Sequence, residues 1–210
     1  MIDAREEPVD RTRILNGVAV PGTEFAPEQD HYPDHEGAVV EALRRHVRRG
    51  DSVVVVGGGW GTTAVVAARM THFEGDVTVF EPSSKMFDRL RRTVEVNGVG
   101  DIVSLDHAAI GPVTESSERI FGEVSGDSLP PGAVPRCDVL DVDCEGAELD
   151  VLRALDFTPR LLTVEAHPHL GCSADEVQAE LVDLGYTVTE REPIREDSDI
   201  VNFVALRESG

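Results

Sequence analysis

Lysine is almost missing from this chain: Lys85 is the only one in 210 residues, and the other 18 cations are all arginine. Against these stand 40 Asp and Glu, for a formal net charge of −21. No basic stripe is left to neutralise a phosphate backbone, so nucleic acid is not expected as a partner. Cysteine is nearly as scarce. Cys137, Cys144 and Cys172 are odd in number and unevenly spaced, which excludes a disulfide framework and a CxxC metal knuckle and predicts three free thiols. No apolar run approaches the roughly 20 residues of a membrane span. The opening Met1-Ile2-Asp3-Ala4-Arg5-Glu6-Glu7 lacks the basic start and apolar core of a signal peptide. A soluble, cytoplasmic protein without a membrane partner is expected. Internal repeats and low-complexity linkers are missing too, which fits a single domain with one sizeable core.

The acids are spread along the chain rather than gathered in a tail, so the excess belongs to the folded surface. Such self-repulsion destabilises a compact state at low salt and is screened at high salt. The composition resembles that of proteins from salt-loving microbes; an ordinary acidic mesophile protein is the alternative. In molar salt, counterion release contributes little, which weakens the argument against nucleic acid.

Apolar periodicity organises the rest. Residues 1–35 are rich in Pro, Asp and Glu with little pattern, and are expected to form an irregular N-terminal arm. Residues 36–210 are expected to form the functional domain. Val39, Val40, Leu43 and Val47 recur at helical spacing before Gly50-Asp51 stops them. Strands are predicted at 52–56, 76–81, 102–105, 138–143 and 160–166, with helices at 62–70, 83–96, 147–155 and 173–184. Strands alternating with helices predict right-handed crossovers and a parallel sheet. Residues 108–137, with Gly, Ser and Pro, read as a loop-rich excursion with at most one short strand. The β-type runs 186–190 and 200–206 have no helix between them and should pair as an antiparallel hairpin. The fold class is α/β: a Rossmann-like, doubly wound, mostly parallel seven-stranded sheet with an antiparallel C-terminal hairpin.

The first strand runs into Gly57-Gly58-Gly59-Trp60-Gly61. In open α/β sheets ligands bind beyond the carboxyl ends of the strands, at the switch point where this turn lies. Gly57 permits the turn, Gly59 lets backbone approach a ligand, and Gly61 packs the next helix. Trp60 should point away from a ligand or narrow its mouth. The dinucleotide spacing G-x-G-x-x-G would need glycine where Thr62 stands. Glu81 ends the second strand, 20 residues past Gly61, where a carboxylate can accept both hydroxyls of a ribose. Turn and acid together predict an adenosine nucleoside. The positive sulfonium of S-adenosylmethionine suits an acidic pocket better than a dinucleotide does.

The fourth strand ends in Asp141-Val142-Asp143-Cys144-Glu145-Gly146-Ala147-Glu148. Glu145 and Glu148 fit a helix N-terminus by charge alone; Asp143 ends a buried strand and needs a partner. The run Asp143-x-Glu145-Gly146-Ala147-Glu148 resembles the D-x-E-G-A-E hallmark of the FkbM family of S-adenosylmethionine-dependent methyltransferases. Glu165 and His167-Pro168 after the next apolar strand are similar to that family's following element. The resemblance implies a class I methyltransferase fold and methyl transfer to a hydroxyl of a small molecule or glycan. The cofactor set is then Gly57, Gly58, Gly59, Gly61, Glu81, Pro82, Asp106, His107 and Asp143, with Asp106-His107 flanking the adenine. Two positions depart from the family: Val55 stands where an acid is usual, and Asp141 where a lysine is frequent. Contact to the methionyl amino group would then fall to Glu36 or Asp143.

Methyl transfer to a hydroxyl is largely positioning plus removal of one proton. His167, Asp143 and Glu165 are the candidate catalytic residues, with His167 the first choice of base. The same cluster, with Glu145 and His169, could instead hold a divalent cation. A scaffold that binds a nucleoside without catalysis, or a nicotinamide-dependent oxidoreductase, are the competing function classes.

Overall fold

The computed structural model describes residues 11–22, 29–113 and 124–207. Along them run β1 (Arg13–Leu15), β2 (Val18–Val20), β3 (His31–Tyr32), α1 (Gly37–His46), β4 (Ser52–Val56), α2 (Thr62–Met70), β5 (Asp76–Phe80), α3 (Ser84–Val96) and β6 (Val103–Asp106). Then follow β7 (Ala108–Ile110), β8 (Asp127–Leu129), β9 (Val139–Val142), α4 (Glu148–Ala154), β10 (Leu161–Ala166), α5 (Ala174–Asp183), β11 (Thr187–Pro193) and β12 (Val201–Leu206).

The central sheet has seven strands in the order β11-β12-β10-β9-β4-β5-β6. The five from β10 to β6 are parallel, whereas β12 is antiparallel to both β10 and β11. The middle strands are buried on both faces, which is why β4 reads as an unbroken valine run rather than an alternation. The expected terminal hairpin is present, with its second strand inserted beside the parallel core. Burial explains the order: β12 carries Asn202, Phe203, Val204 and Ala205 inside, while β11 buries none of its residues and ends in Pro193. The charged run Glu190-Arg191-Glu192 and a terminal proline suit an edge.

Helices cover both faces. One core unites α1, α2 and α3 with Val53, Val55, Val77 and Val79. The other joins α4 and α5 to Val54, Val56, Leu140, Leu162 and Phe203. Ser83 caps α3 by accepting a hydrogen bond from the Met86 N–H. No helix among the described residues is long and apolar enough to cross a membrane.

Two expectations are corrected. In the segment 1–35, residues 1–10 and 23–28 lie outside the described residues, and the remainder is not irregular: β1, β2 and β3 form a small three-stranded sheet. Leu15, Val18 and Val20 are fully buried in the first core. Asn97 at the end of α3 fixes β2 by donating to the Ala19 carbonyl at 2.7 Å and accepting from its N–H at 3.3 Å. In the excursion 108–137, residues 114–123 lie outside the described residues; on either side, β7 and β8 pair as a two-stranded parallel sheet.

Candidate nucleoside and acid-cluster site

The chain leaves β4 for β5 on one side and later returns to β9 on the other, so a cleft opens above the carboxyl ends of these strands. Gly57 and Gly58 both donate to the Phe80 carbonyl, at 2.9 and 3.0 Å, and tie the turn to β5. Each glycine is there for a different reason. A Cβ on Gly57 would lie 1.7 Å from the Asp143 carbonyl oxygen, so Gly57 is needed for β4 and the β9 end to touch. One on Gly58 would meet Leu90 at 2.6 Å and Val79 at 2.7 Å, and one on Gly61 would press on Leu90 and Thr93 of α3. Only at Gly59 (φ +48°) would a Cβ meet no protein atom within 4 Å. Three of the four glycines therefore serve packing within the chain, and Gly59 keeps open the space in front of the turn.

That space is a cleft lined by Gly57, Gly59, Glu81, Pro82, Asp143 and Glu145. Its far wall is apolar, from Phe80, Ala108, Ala109, Ile110 and Val113. Glu81 is 5% exposed; its Oε2 accepts from the Gly59 N–H at 2.9 Å and its Oε1 from the Ser83 N–H at 2.8 Å. Burial raises its pKa against those two hydrogen bonds. Each oxygen keeps a lone pair for a further donor.

The expected cofactor residues do not all meet here. Gly58 and Gly61 face protein, and Asp106 and His107 are not in the lining. His107 is turned to its own neighbours: Nε2 is 3.2 Å from the Pro82 carbonyl, and the ring stacks on Phe87 at 4.8 Å. The wall expected from Asp106-His107 comes instead from Ala108–Ile110 just beyond, which sequence reading missed. Their run of three small or apolar residues was the available signal. Trp60 is also outside the lining; Arg89 lies over its ring at 4.7 Å.

At the other end of the cleft the acids converge on one imidazole. His167 is 1% exposed and Glu148 fully buried. His167 Nδ1 donates to Glu148 Oε1 at 2.9 Å, and Glu148 accepts from the Gly146 N–H with both oxygens, at 2.9 and 3.1 Å. Around Nε2 stand Glu145 Oε2 and Glu165 Oε1 at 3.4 Å each and Asp143 Oδ1 at 3.6 Å. Burial, the largest single influence on His167, pulls its pKa down, but the hydrogen bond to Glu148 and the nearby carboxylates of Glu165, Asp143 and Glu145 outweigh it, to about 11. Burial likewise pushes Asp143 well above the usual carboxylate range and Glu145 up to about 7. An imidazole that stays protonated at neutrality cannot take a proton there, which corrects the choice of His167 as base. Glu148, read from sequence as a helix-cap acid, is the group that orients His167. His169 meets His167 edge-on at 5.8 Å.

Two non-glycine residues of this region have left-handed backbone, Glu36 (φ 52°) and Glu145 (φ 55°). Such strain costs on the order of 1–3 kcal/mol and collects at functional sites. The Glu36 carboxylate is 3.1 Å from His35 Nε2, and its Oε2 is buried without a hydrogen-bond partner. Asp141, 4% exposed, accepts from Thr163 Oγ1 at 2.7 Å; burial, opposed by that bond and reinforced by Glu36 and Glu165, raises its pKa to about 7.

No family model matches the chain. A ribosomal protein L11 methyltransferase from Exiguobacterium sp. is 33% identical over 67 residues, or 32% of this chain and 21% of that protein. The match thus spans about a fifth of the relative's length. Among solved structures, a precorrin-6y C5,15-methyltransferase from Geobacter metallireducens superposes with a TM-score of 0.56 at 12% identity, covering 89% of this chain and 92% of that one. A tRNA m1G37 methyltransferase from M. jannaschii superposes with a TM-score of 0.57 at 9% identity, over 95% of this chain and 55% of the other. The fold is that of class I S-adenosylmethionine-dependent methyltransferases. The expectation that nucleic acid is excluded as a partner is overturned: a tRNA methyltransferase shares this fold, and a missing basic stripe does not remove RNA from the acceptor classes.

Proposed function

We propose that this chain is an S-adenosylmethionine-dependent methyltransferase acting on a hydroxyl acceptor, with a small molecule or glycan as the first acceptor class to test. The observation that carries the reading is the Gly59 opening beside Glu81, at the switch point of a class I sheet. The sequence match to the L11 methyltransferase supports it. The D-x-E-G-A-E run further supports a place near the FkbM group.

The residues suit this cofactor in three places. Glu81 offers its remaining lone pairs to the ribose hydroxyls, and Phe80, Ala108 and Ile110 form an apolar wall for adenine. Glu36, with a buried and unpartnered Oε2, takes the methionyl ammonium. S-adenosylmethionine supplies a methyl group on a sulfonium, an electrophile that needs no activation by the protein. What the chain must do is place the acceptor oxygen in line and receive one proton. Bound there, S-adenosylmethionine would give its methyl group to the acceptor oxygen and keep the S–CH3 electron pair on sulfur, and Glu145 would take the acceptor proton. With a pKa near 7 and a place in the cleft wall, Glu145 can take that proton at neutral pH. His167, held as a cation among Asp143, Glu145 and Glu165, keeps these carboxylates together.

Calorimetry with S-adenosylmethionine, with NAD as the control, tests the cofactor. Binding of NAD alone, or of neither, would overturn the reading. Release of S-adenosylhomocysteine against sugars, hydroxylated metabolites and RNA then assigns the acceptor, and Glu145→Gln should lower turnover about 10²–10⁴-fold while S-adenosylmethionine affinity holds.

A further inference from the structure

We propose that the acid cluster is a binding site for one divalent first-row cation that takes the place of the His167 Nε2 proton, held by His167 Nε2, Asp143 and Glu165, with Glu145 closing the set until an acceptor displaces it. The distances argue for this. A protonated Nε2 facing a carboxylate forms a charge-assisted hydrogen bond of about 2.7–2.9 Å. Here three carboxylate oxygens stand around Nε2 at 3.4, 3.4 and 3.6 Å, and none has closed to that range. Bonds of about 2.0–2.2 Å to a common ion at roughly tetrahedral angles put neighbouring ligand atoms about 3.4 Å apart.

The shell behind the ring fits as well. A metal-binding histidine donates its other ring N–H to a carboxylate that fixes its tautomer and direction. Glu148 does this from a fully buried position and is itself anchored by the Gly146 N–H.

Two buried oxygens point to a missing partner. Asp143 Oδ1 is shielded from solvent and has no hydrogen-bond partner. Asn202, 5% exposed, stands directly opposite Glu165 in the β10–β12 register, so both side chains leave the same face of the sheet, and its Oδ1 is also buried without a partner. Asp143 and Glu145 belong to the cleft wall, which gives an ion a path in. One imidazole among carboxylates favours Mn2+ or Zn2+ over Mg2+. What the ion would do, lowering the pKa of a hydroxyl acceptor, rests on the methyl-transfer reading; the site itself does not.

The test is metal uptake by chelator-treated full-length protein in about 1 M KCl, where a Debye length of about 3 Å suppresses adsorption to the acidic surface. Mn2+ is titrated and followed by paramagnetic resonance and calorimetry, with Zn2+ and Mg2+ in parallel. One equivalent should bind to the unmodified protein, Glu148→Gln should weaken it about 10–100-fold, and Asp143→Asn and Glu165→Gln should abolish stoichiometric binding. No equivalent bound, or equal binding in all variants, overturns the site and leaves an imidazolium held by its acids. Circular dichroism checks each fold; if buried Glu148→Gln does not fold, Glu165→Gln, at 17% side-chain exposure, decides. A protein that binds S-adenosylmethionine but takes up no metal ion sinks this inference alone, and one that takes up the metal but does not bind S-adenosylmethionine sinks the methyl-transfer reading alone.

Discussion

Replacing Gly59 by alanine separates ligand space from protein packing at a single atom. The new Cβ would touch no protein atom within 4 Å, so no side chain or backbone has to move. The backbone at φ +48° is left-handed, which costs a non-glycine residue about 1–2 kcal/mol. At about 2–4 °C per kcal/mol for a chain of this size, the melting temperature should drop by only a few degrees. That strain is present with and without ligand and cancels from the affinity. The methyl group does not cancel, because it occupies the volume the turn keeps clear; overpacking by one carbon costs about 1–3 kcal/mol, or a Kd weaker by about 5- to 150-fold. Gly58→Ala is the counterpart, with its Cβ 2.6 Å from Leu90 and 2.7 Å from Val79, so it should lose stability first. Calorimetry with S-adenosylmethionine beside thermal melts in molar KCl reads both quantities. If Gly59→Ala and Gly59→Val bind S-adenosylmethionine as the unmodified protein does, the placement of the cofactor over this turn is wrong.

Raising KCl from about 0.1 to 1 M shortens the Debye length from about 10 to 3 Å, so a chain of net charge −21 should melt at a higher temperature; an unchanged or lower midpoint would remove the halophilic reading. Burial pushes the Cys137 and Cys172 thiols up to about 12 and Cys144 well above its ordinary range. Cys172 is buried and Cys137 and Cys144 are partly so; all three should react slowly with a disulfide reagent at pH 8 and rapidly after denaturation, and fast labelling of the native protein would contradict the raised values. Tyr186 donates to the Pro159 carbonyl at 2.7 Å, and burial raises its pKa to about 12. Its folded pKa lies above the ordinary 10, so its contribution is complete below pH 10 and is lost as pH rises toward 12. Tyr186→Phe should cost about 1 kcal/mol near neutrality and flatten that alkaline decline in a pH series of urea melts.

Legibility in the sequence followed the length and periodicity of each segment. The strand 52–56 and the helix 62–70 fall where the valine run and the Ala/Val pattern put them, because both are long enough for burial to fix their period. Strands β1, β2 and β3 have three residues or fewer, too few to alternate, and exist because β2 docks on α3 through Asn97. The site divides in the same way. Gly59, Glu81 and Asp143 are placed by their position at strand ends, a local property. The state of His167 is not local: it depends on Glu148 and Glu145 before and within the α4 turn, Glu165 on β10 and Asp143 after β9. Reading His167 as a base used its ordinary pKa, and only the assembled cluster raises it.

Val55 and Asp141, the two departures from the pattern that the D-x-E-G-A-E run resembles, each cast doubt on a functional site when read separately; in the folded chain they are one feature. Val55 and Asp141 are partners in the parallel register of β4 and β9, so they stand side by side on one face of the sheet. Neighbouring strands are about 4.8 Å apart, which places the acid of Asp141 one strand away from where the family usually has it on β4. On its other side Asp141 is paired with Thr163 of β10, whose hydroxyl donates to it. A lysine at 141 would suit an acid at 55; valine at 55 leaves nothing for that lysine to neutralise, and an acid at 141 restores a carboxyl group to the same face. Asp141 interacts in turn with Glu36 and Glu165, which raise its pKa. The loss at one position and the change at the other therefore keep a carboxyl group on that face, close enough to Glu36 to feel its charge. That retained carboxyl favours a working site over a scaffold that has shed one.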